Sequence, residues 1–255
     1  MNKELYEMIF KRKSFHLFRD RNDETINDIE IEDIIKTFNN FEPLYKDIKV
    51  KIKIVKAEET TCKRGQEYCI EFFSEKKDGY LQNIGYLGEQ LDLYLVSKNI
   101  GTLWFGIAKS NEVYDGLDYV IMMAIGKVNS DKFRKDMYKS KRKELSDIWF
   151  GDELEFSNII RFTPSACNSQ PWLVKNLDGS LYVYRKSKST RVGIMPKGAS
   201  IYYNQIDIGI FMCFIELCLL KNNMKFERTL YKDKESFDSE ELNAVYMLKW
   251  YWWKI

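Results

Sequence analysis

The chain has 255 residues, enough to bury a substantial core as one large domain or two small ones. Its 40 basic and 38 acidic residues leave a net charge of +2, which speaks against a nucleic-acid-binding stripe and against a polybasic membrane anchor. The five cysteines form no Cys-x-x-Cys pair and no His-containing ligand set, so neither a metal site nor a disulfide framework is expected, and a reducing cytoplasm suits them.

Residues 1–19 read as a helix with Leu5, Met8 and Ile9 on one face, followed by the basic segment Lys11-Arg12-Lys13-Ser14-Phe15-His16-Leu17-Phe18. Lys3, Glu4 and Glu7 precede any apolar run, so no secretory signal is expected. A second helix is predicted over 31–38. Residues 49–55 alternate charged and apolar side chains, the pattern of a half-buried strand with its lysines in water. A further strand covers 68–73, and a long helix covers 81–99, stopped by Gly101. Residues 119–125 form the closing strand of the first half.

The richest basic patch, 132–143, joins the halves and reads mainly as a solvated linker. In the second half, Asp178-Gly179 between apolar runs predicts a hairpin of 172–177 with 180–185, because glycine accepts the positive φ of a primed turn. Residues 203–221 form the most apolar helix. Asp207 and Glu216 interrupt a run already short for a bilayer, so this helix belongs to a protein core and no membrane partner is expected. Cys213 and Cys218 within it read as small buried hydrophobes, and Cys167 reads as packing. A last strand, 244–253, ends in the aromatic cluster Trp250-Tyr251-Trp252-Trp253, read as packed on both faces.

The most informative segment is Pro164-Ser165-Ala166-Cys167-Asn168-Ser169-Gln170-Pro171-Trp172. Pro164 and Ser165 favour a turn, Asn168 and Gln170 offer paired donors and acceptors, and Pro171 bars helix before a strand opens at Trp172. Such a loop suits a planar heterocycle, or it serves simply to connect helix and strand. Short strings also recur in order: Lys11-Arg12-Lys13 as Lys141-Arg142-Lys143, Ile34-Ile35 as Ile159-Ile160, and Gln90-Leu91-Asp92-Leu93 as Gln205-Ile206-Asp207-Ile208.

The amide loop resembles the Pro-Ser-x-x-Asn-x-Gln-Pro-Trp loop of the FMN-dependent nitroreductase family, and residues 11–18 are similar to that family's phosphate-gripping N-terminal segment. The resemblance implies an α+β, nitroreductase-like fold with two pseudo-repeated halves, about 1–130 and 131–255. Each half would hold a mainly antiparallel sheet with packed helices, together making a single intertwined domain, 1–255, like a fused version of the family's homodimer. Residues 41–47, the first half's counterpart of the amide loop, lack its Asn and Gln, and Glu144 stands where Ser14 would repeat. One FMN site per chain follows, with a monomer sufficient to build it.

Within that site the resemblance gives Arg12 and Ser14 to the phosphate, with Lys13 as a helper or a solvated charge and Arg142 or Lys141 reaching in from the second half. Pro164, Ser165, Asn168 and Gln170 would meet the ring edge or ribityl chain, Gln170 alternatively bracing its own loop. Gly101 and Thr102 resemble a turn that follows the long helix near the flavin. His16, the only histidine, replaces the usual Arg or Lys beside the flavin edge that gains negative charge on reduction, so it is a candidate redox tuner or a capped surface side chain. The implied activity takes hydride from NADH or NADPH and delivers it to a small electron-poor acceptor such as a nitroaromatic or a quinone, with no catalytic side chain required. A non-catalytic flavin-binding protein with an occluded acceptor pocket is the alternative, and a scaffold that has lost flavin is a third reading.

Overall fold

A computed structural model describes residues 1–19, 24–108, 112–186, 199–231 and 240–249. The chain divides into two compact units, Met1–Met137 and Tyr138–Ile255.

In the first unit, α1 (Tyr6–Lys11) is followed by α2 (Asp28–Asn39). The start of α2 is set by a reciprocal cap: Glu30 N donates to Asn27 Oδ1 and Asn27 N to Glu30 Oε2, each at 3.0 Å. This cap places the helix three residues earlier than its apolar pattern suggests. Strands β1 (Val50–Lys56) and β2 (Tyr68–Ser74) precede the long α3 (Tyr80–Ser97), after which come β3 (Ile100–Phe105), β4 (Val113–Tyr114) and β5 (Leu117–Lys127). The antiparallel sheet runs β1-β2-β5-β3, with β4 also on β5. Along β1, Lys51 is exposed and Ile52 is buried, as the alternation requires, whereas Val55, on the lysine face, is buried as well.

The end of α3 departs from expectation. Asn99, at φ 58°, makes the left-handed turn that stops the helix, and Gly101 already lies inside β3. Gly101 is small for another reason: a Cβ there would come within 2.8 Å of the Phe15 ring. The predicted turn at Gly101-Thr102 is therefore a strand.

The second unit contains β6 (Trp149–Gly151), α4 (Ser157–Ile160), β7 (Trp172–Leu177), β8 (Ser180–Lys186), α5 (Ala199–Lys221), β9 (Lys225–Leu230) and β10 (Glu240–Lys249). Its sheet runs β6-β7-β8-β10-β9, antiparallel except where β6 joins β7. The hairpin turn takes positive φ at both Asp178 (48°) and Gly179 (73°), as a primed turn does. Cys213 and Cys218 are buried as expected. Helix α5 is long and apolar enough to cross a membrane, yet 89% of its apolar window is buried. Within it, Glu216 is satisfied by Arg228 Nη1 at 2.5 Å and by Tyr246 OH at 3.0 Å, which is how a core helix keeps a carboxylate. The aromatic cluster 250–253 lies outside the described residues.

The units share one connection rule. In the first, α3 joins the second and fourth strands of the order β1-β2-β5-β3; in the second, α5 does the same for β7-β8-β10-β9.

Candidate functional site

The basic segment leaves α1 at Arg12 and turns beside β3, where Phe15 N donates to Thr102 O at 2.9 Å and Ser14 bridges to Thr102. Arg12 is 3% exposed. Its Nε donates to Asp92 Oδ2 at 2.9 Å and lies 3.8 Å from Glu89 Oε1, while Thr102 Oγ1 donates to Asp92 Oδ1 at 2.6 Å. One cation thus faces two carboxyls from α3. Burial, and then the charge of Asp92, holds the Glu89 carboxyl well above the usual carboxylate range against the opposing pull of Arg12, which favours its protonated form. Arg12 Nη1 reaches Ser14 Oγ at 3.4 Å, which leaves the Ser14 hydroxyl hydrogen for another acceptor, and Nη2 is buried without a partner.

Lys13, Ser14, His16 and Lys132 line one cleft of about 200 Å³ together with Phe15, Leu17, Phe18 and Val128. Lys13 Nζ sits 4.6 Å from the Phe15 ring centroid, and His16 is exposed. Arg134 is tied to this segment by its backbone N, which donates to Lys11 O at 2.9 Å. Its guanidinium titrates low, at about 10, because it is partly buried and because Arg12 is close. Lys132 and Arg134 were not expected here. Both fall in the basic patch that reads as a linker, and only the chain's return to Lys11 brings them to the segment.

The amide loop is built on its own hydrogen bonds. Ser165 Oγ accepts from Gln170 N at 3.0 Å, closing the turn that Pro164, itself buried, opens. Cys167, Asn168 and Gln170 all adopt left-handed backbone, at φ 50°, 56° and 48°. Asparagine tolerates this conformation and the other two do so at a cost, so strain is concentrated in this loop. The same backbone turns Cys167 out, and it is exposed, correcting the expectation that it packs inside. Asn168 Oδ1 accepts from Arg142 Nη1 at 2.8 Å and Asn168 Nδ2 donates to Lys141 O at 3.2 Å. Gln170 Oε1 accepts from Lys143 N at 2.8 Å. The repeated basic triplet of the second unit therefore clamps the amide loop, and Gln170 does brace it.

Asp207 of α5 supports the loop from below. Its Oδ1 accepts from Ala166 N at 2.9 Å and its Oδ2 from Ser169 Oγ at 3.3 Å. Burial pushes its pKa up to about 7, with those two hydrogen bonds working the other way. Asp92 and Asp207 are the acids of the repeated Gln-x-Asp string, and each seats a segment singled out in the sequence. That string, a carboxylate at the centre of an apolar helix, is the signal by which both were detectable. Among the described residues no group of His, Cys, Asp and Glu could hold a metal.

A putative nitroreductase from Thermotoga maritima matches at a TM-score of 0.61 and 20% identity, over 97% of this chain and 94% of that one, which shows the fold. More distant are a nitroreductase family protein from Clostridium difficile 630 (TM-score 0.46, 13% identity, 60% of this chain and 100% of that one) and a nitroreductase with bound FMN from Desulfitobacterium hafniense DCB-2 (0.39, 16%, 56% and 100%). No curated protein matches. Residues 4–219 match the family model described as "Putative TM nitroreductase", and the chain belongs to that nitroreductase family.

Proposed function

We propose that the chain is an FMN-dependent oxidoreductase that accepts hydride from NADH or NADPH and reduces a small electron-poor molecule such as a nitroaromatic or a quinone. The observation that supports this most is the cleft of Lys13, Ser14, His16 and Lys132, backed by the neighbouring guanidiniums of Arg12 and Arg134. Like charges gathered beside a free hydroxyl hydrogen favour a phosphate, and the orphaned Arg12 Nη2 is a donor in want of an acceptor.

In this reading Lys13, Ser14 and Lys132 hold the phosphate, and Arg12 fixes the segment while adding its charge. That assigns Arg12 more to positioning than the resemblance alone implies, because Asp92 already occupies its Nε. Ser165, Asn168 and Gln170, clamped by Arg142, are the residues assigned to the ring edge and ribityl chain. When bound, FMN supplies hydride chemistry at its N5, so the chain's task is to orient donor and acceptor and to set the local charge. His16, in the lining of the same cleft, is the residue assigned to tuning the flavin.

The shared strand order of the two units supports a fused-dimer reading. The loss of the Asn and Gln from residues 41–47, and of the serine at Glu144, supports one flavin per chain. Purified protein should show a flavin absorption spectrum after incubation with FMN and should consume NADH or NADPH when a nitroaromatic is added. Flavin binding without turnover would favour the non-catalytic alternative, and the lack of any flavin spectrum would refute the proposal.

A further inference from the structure

The segment from Arg12 to Phe15 is pinned at both ends to one residue of β3. Thr102 is fully enclosed, whereas Lys13, Ser14 and Phe15 line the cleft. Its hydroxyl hydrogen is spent inward: Thr102 Oγ1 donates to Asp92 Oδ1 at 2.6 Å, and Asp92 Oδ2 accepts from Arg12 Nε at 2.9 Å. Its backbone takes the other end, where the Thr102 carbonyl accepts from Phe15 N at 2.9 Å. Lys13 and Ser14 lie between these two anchors. Arg12 Nη1 donates to Ser14 Oγ at 3.4 Å, and the Phe15 ring centroid lies 4.6 Å from Lys13 Nζ. The place of that ring is limited in turn by Gly101, where a Cβ would come within 2.8 Å of it. Both donors of the cleft are thus placed by contacts that trace back to β3.

We infer that Thr102 is a positioning residue that, through Asp92 and the backbone of Phe15, sets how strongly the chain prefers a flavin bearing a phosphate to one without it. The inference rests on the FMN reading above. A lysine ammonium on a flexible stem and a freely turning hydroxyl hold a phosphate well only when both are fixed at hydrogen-bond distance. Without the threonine hydroxyl, a buried oxygen of Asp92 loses its donor. The carboxylate then turns to share both oxygens with Arg12, and the guanidinium is drawn off Ser14. The residues assigned to the flavin ring, Ser165, Asn168 and Gln170, take no part in this chain of contacts, so the loss falls on the phosphate alone.

The test is equilibrium titration of the full chain with FMN and with riboflavin. Thr102→Val, which keeps the shape and the strand backbone, should weaken FMN binding by about tenfold, the worth of a charged hydrogen bond, and leave riboflavin affinity as in the wild type. Thr102→Ser, which restores the donor, should recover the preference. Gly101→Ala displaces the Phe15 ring while keeping the threonine, and it should narrow the preference as well. A folded Thr102→Val or Gly101→Ala chain with the wild-type preference would overturn the inference, as would equal losses for both flavins, which mark a general defect. A wild type that binds the two flavins alike would overturn the phosphate reading, and this inference with it.

Discussion

Arg12 and Asp92 form a buried ion pair, Nε to Oδ2 at 2.9 Å, that fixes the start of the basic segment to the long helix α3. Removing one member leaves the other charge enclosed, which costs on the order of 3–5 kcal/mol. Asp92→Asn should destabilise by about that much in urea unfolding. Glu89→Gln should be near neutral, because a protonated carboxyl and an amide are alike in shape and charge. Equal losses in the two variants would show that Glu89 is ionised.

Asp207 gives stability a pH dependence of known sign. Its folded pKa of about 7 lies above the unfolded value, so the folded state holds the proton more tightly. That contribution is fully present below about pH 4 and is lost as pH rises through about 7. Relative to Asp207→Asn, the wild type should therefore lose stability across this window, on the order of a few kcal/mol. A parallel pair of curves would place Asp207 in contact with solvent.

Much of the architecture was legible because burial imposes a period. The Lys-apolar alternation marks β1, Asp178-Gly179 marks the hairpin, and Asp207 with Glu216 marks α5 as a core helix. Strand β3 was misread because Gly101 suggests a stop, whereas its smallness answers to Phe15, far away in sequence. Strand β9 has no counterpart among the expected elements, although Lys225–Leu230 alternates in burial. The amide loop was legible as a segment, but its wiring was not. Arg12 and Asp92 are 80 residues apart, and a single sequence does not report such a pairing.

Loss of Lys132 should weaken FMN binding by about 1.5–3 kcal/mol, the worth of a charged hydrogen bond, and should reduce the salt dependence of binding. Lys135→Ala, on an exposed residue of the same patch, is the control. Isothermal titration at two ionic strengths measures both. Indistinguishable affinities for Lys132→Ala and Lys135→Ala would remove Lys132 from the site.

Asn168→Ala should also lower FMN affinity, and by freeing Arg142 it should loosen the amide loop. Hydrogen exchange of the apoprotein reads the second effect separately. Faster exchange over 165–170 with unchanged FMN affinity would make Asn168 a brace alone.

His16→Arg should raise the two-electron reduction potential of the bound flavin and His16→Ala should lower it. Spectroelectrochemical titration of the three proteins decides this. Identical potentials throughout would mean that His16 serves only the phosphate cleft or the surface.

The most direct measurement compares FMN with riboflavin, the same ring system without the phosphate, in equilibrium titrations of the purified chain. A phosphate cleft built from Lys13, Ser14 and Lys132 predicts saturation at one FMN per chain and at least about tenfold weaker riboflavin binding, the discrimination expected from a single lost charged hydrogen bond. Equal affinities for the two, or two flavins bound per chain, would contradict the account.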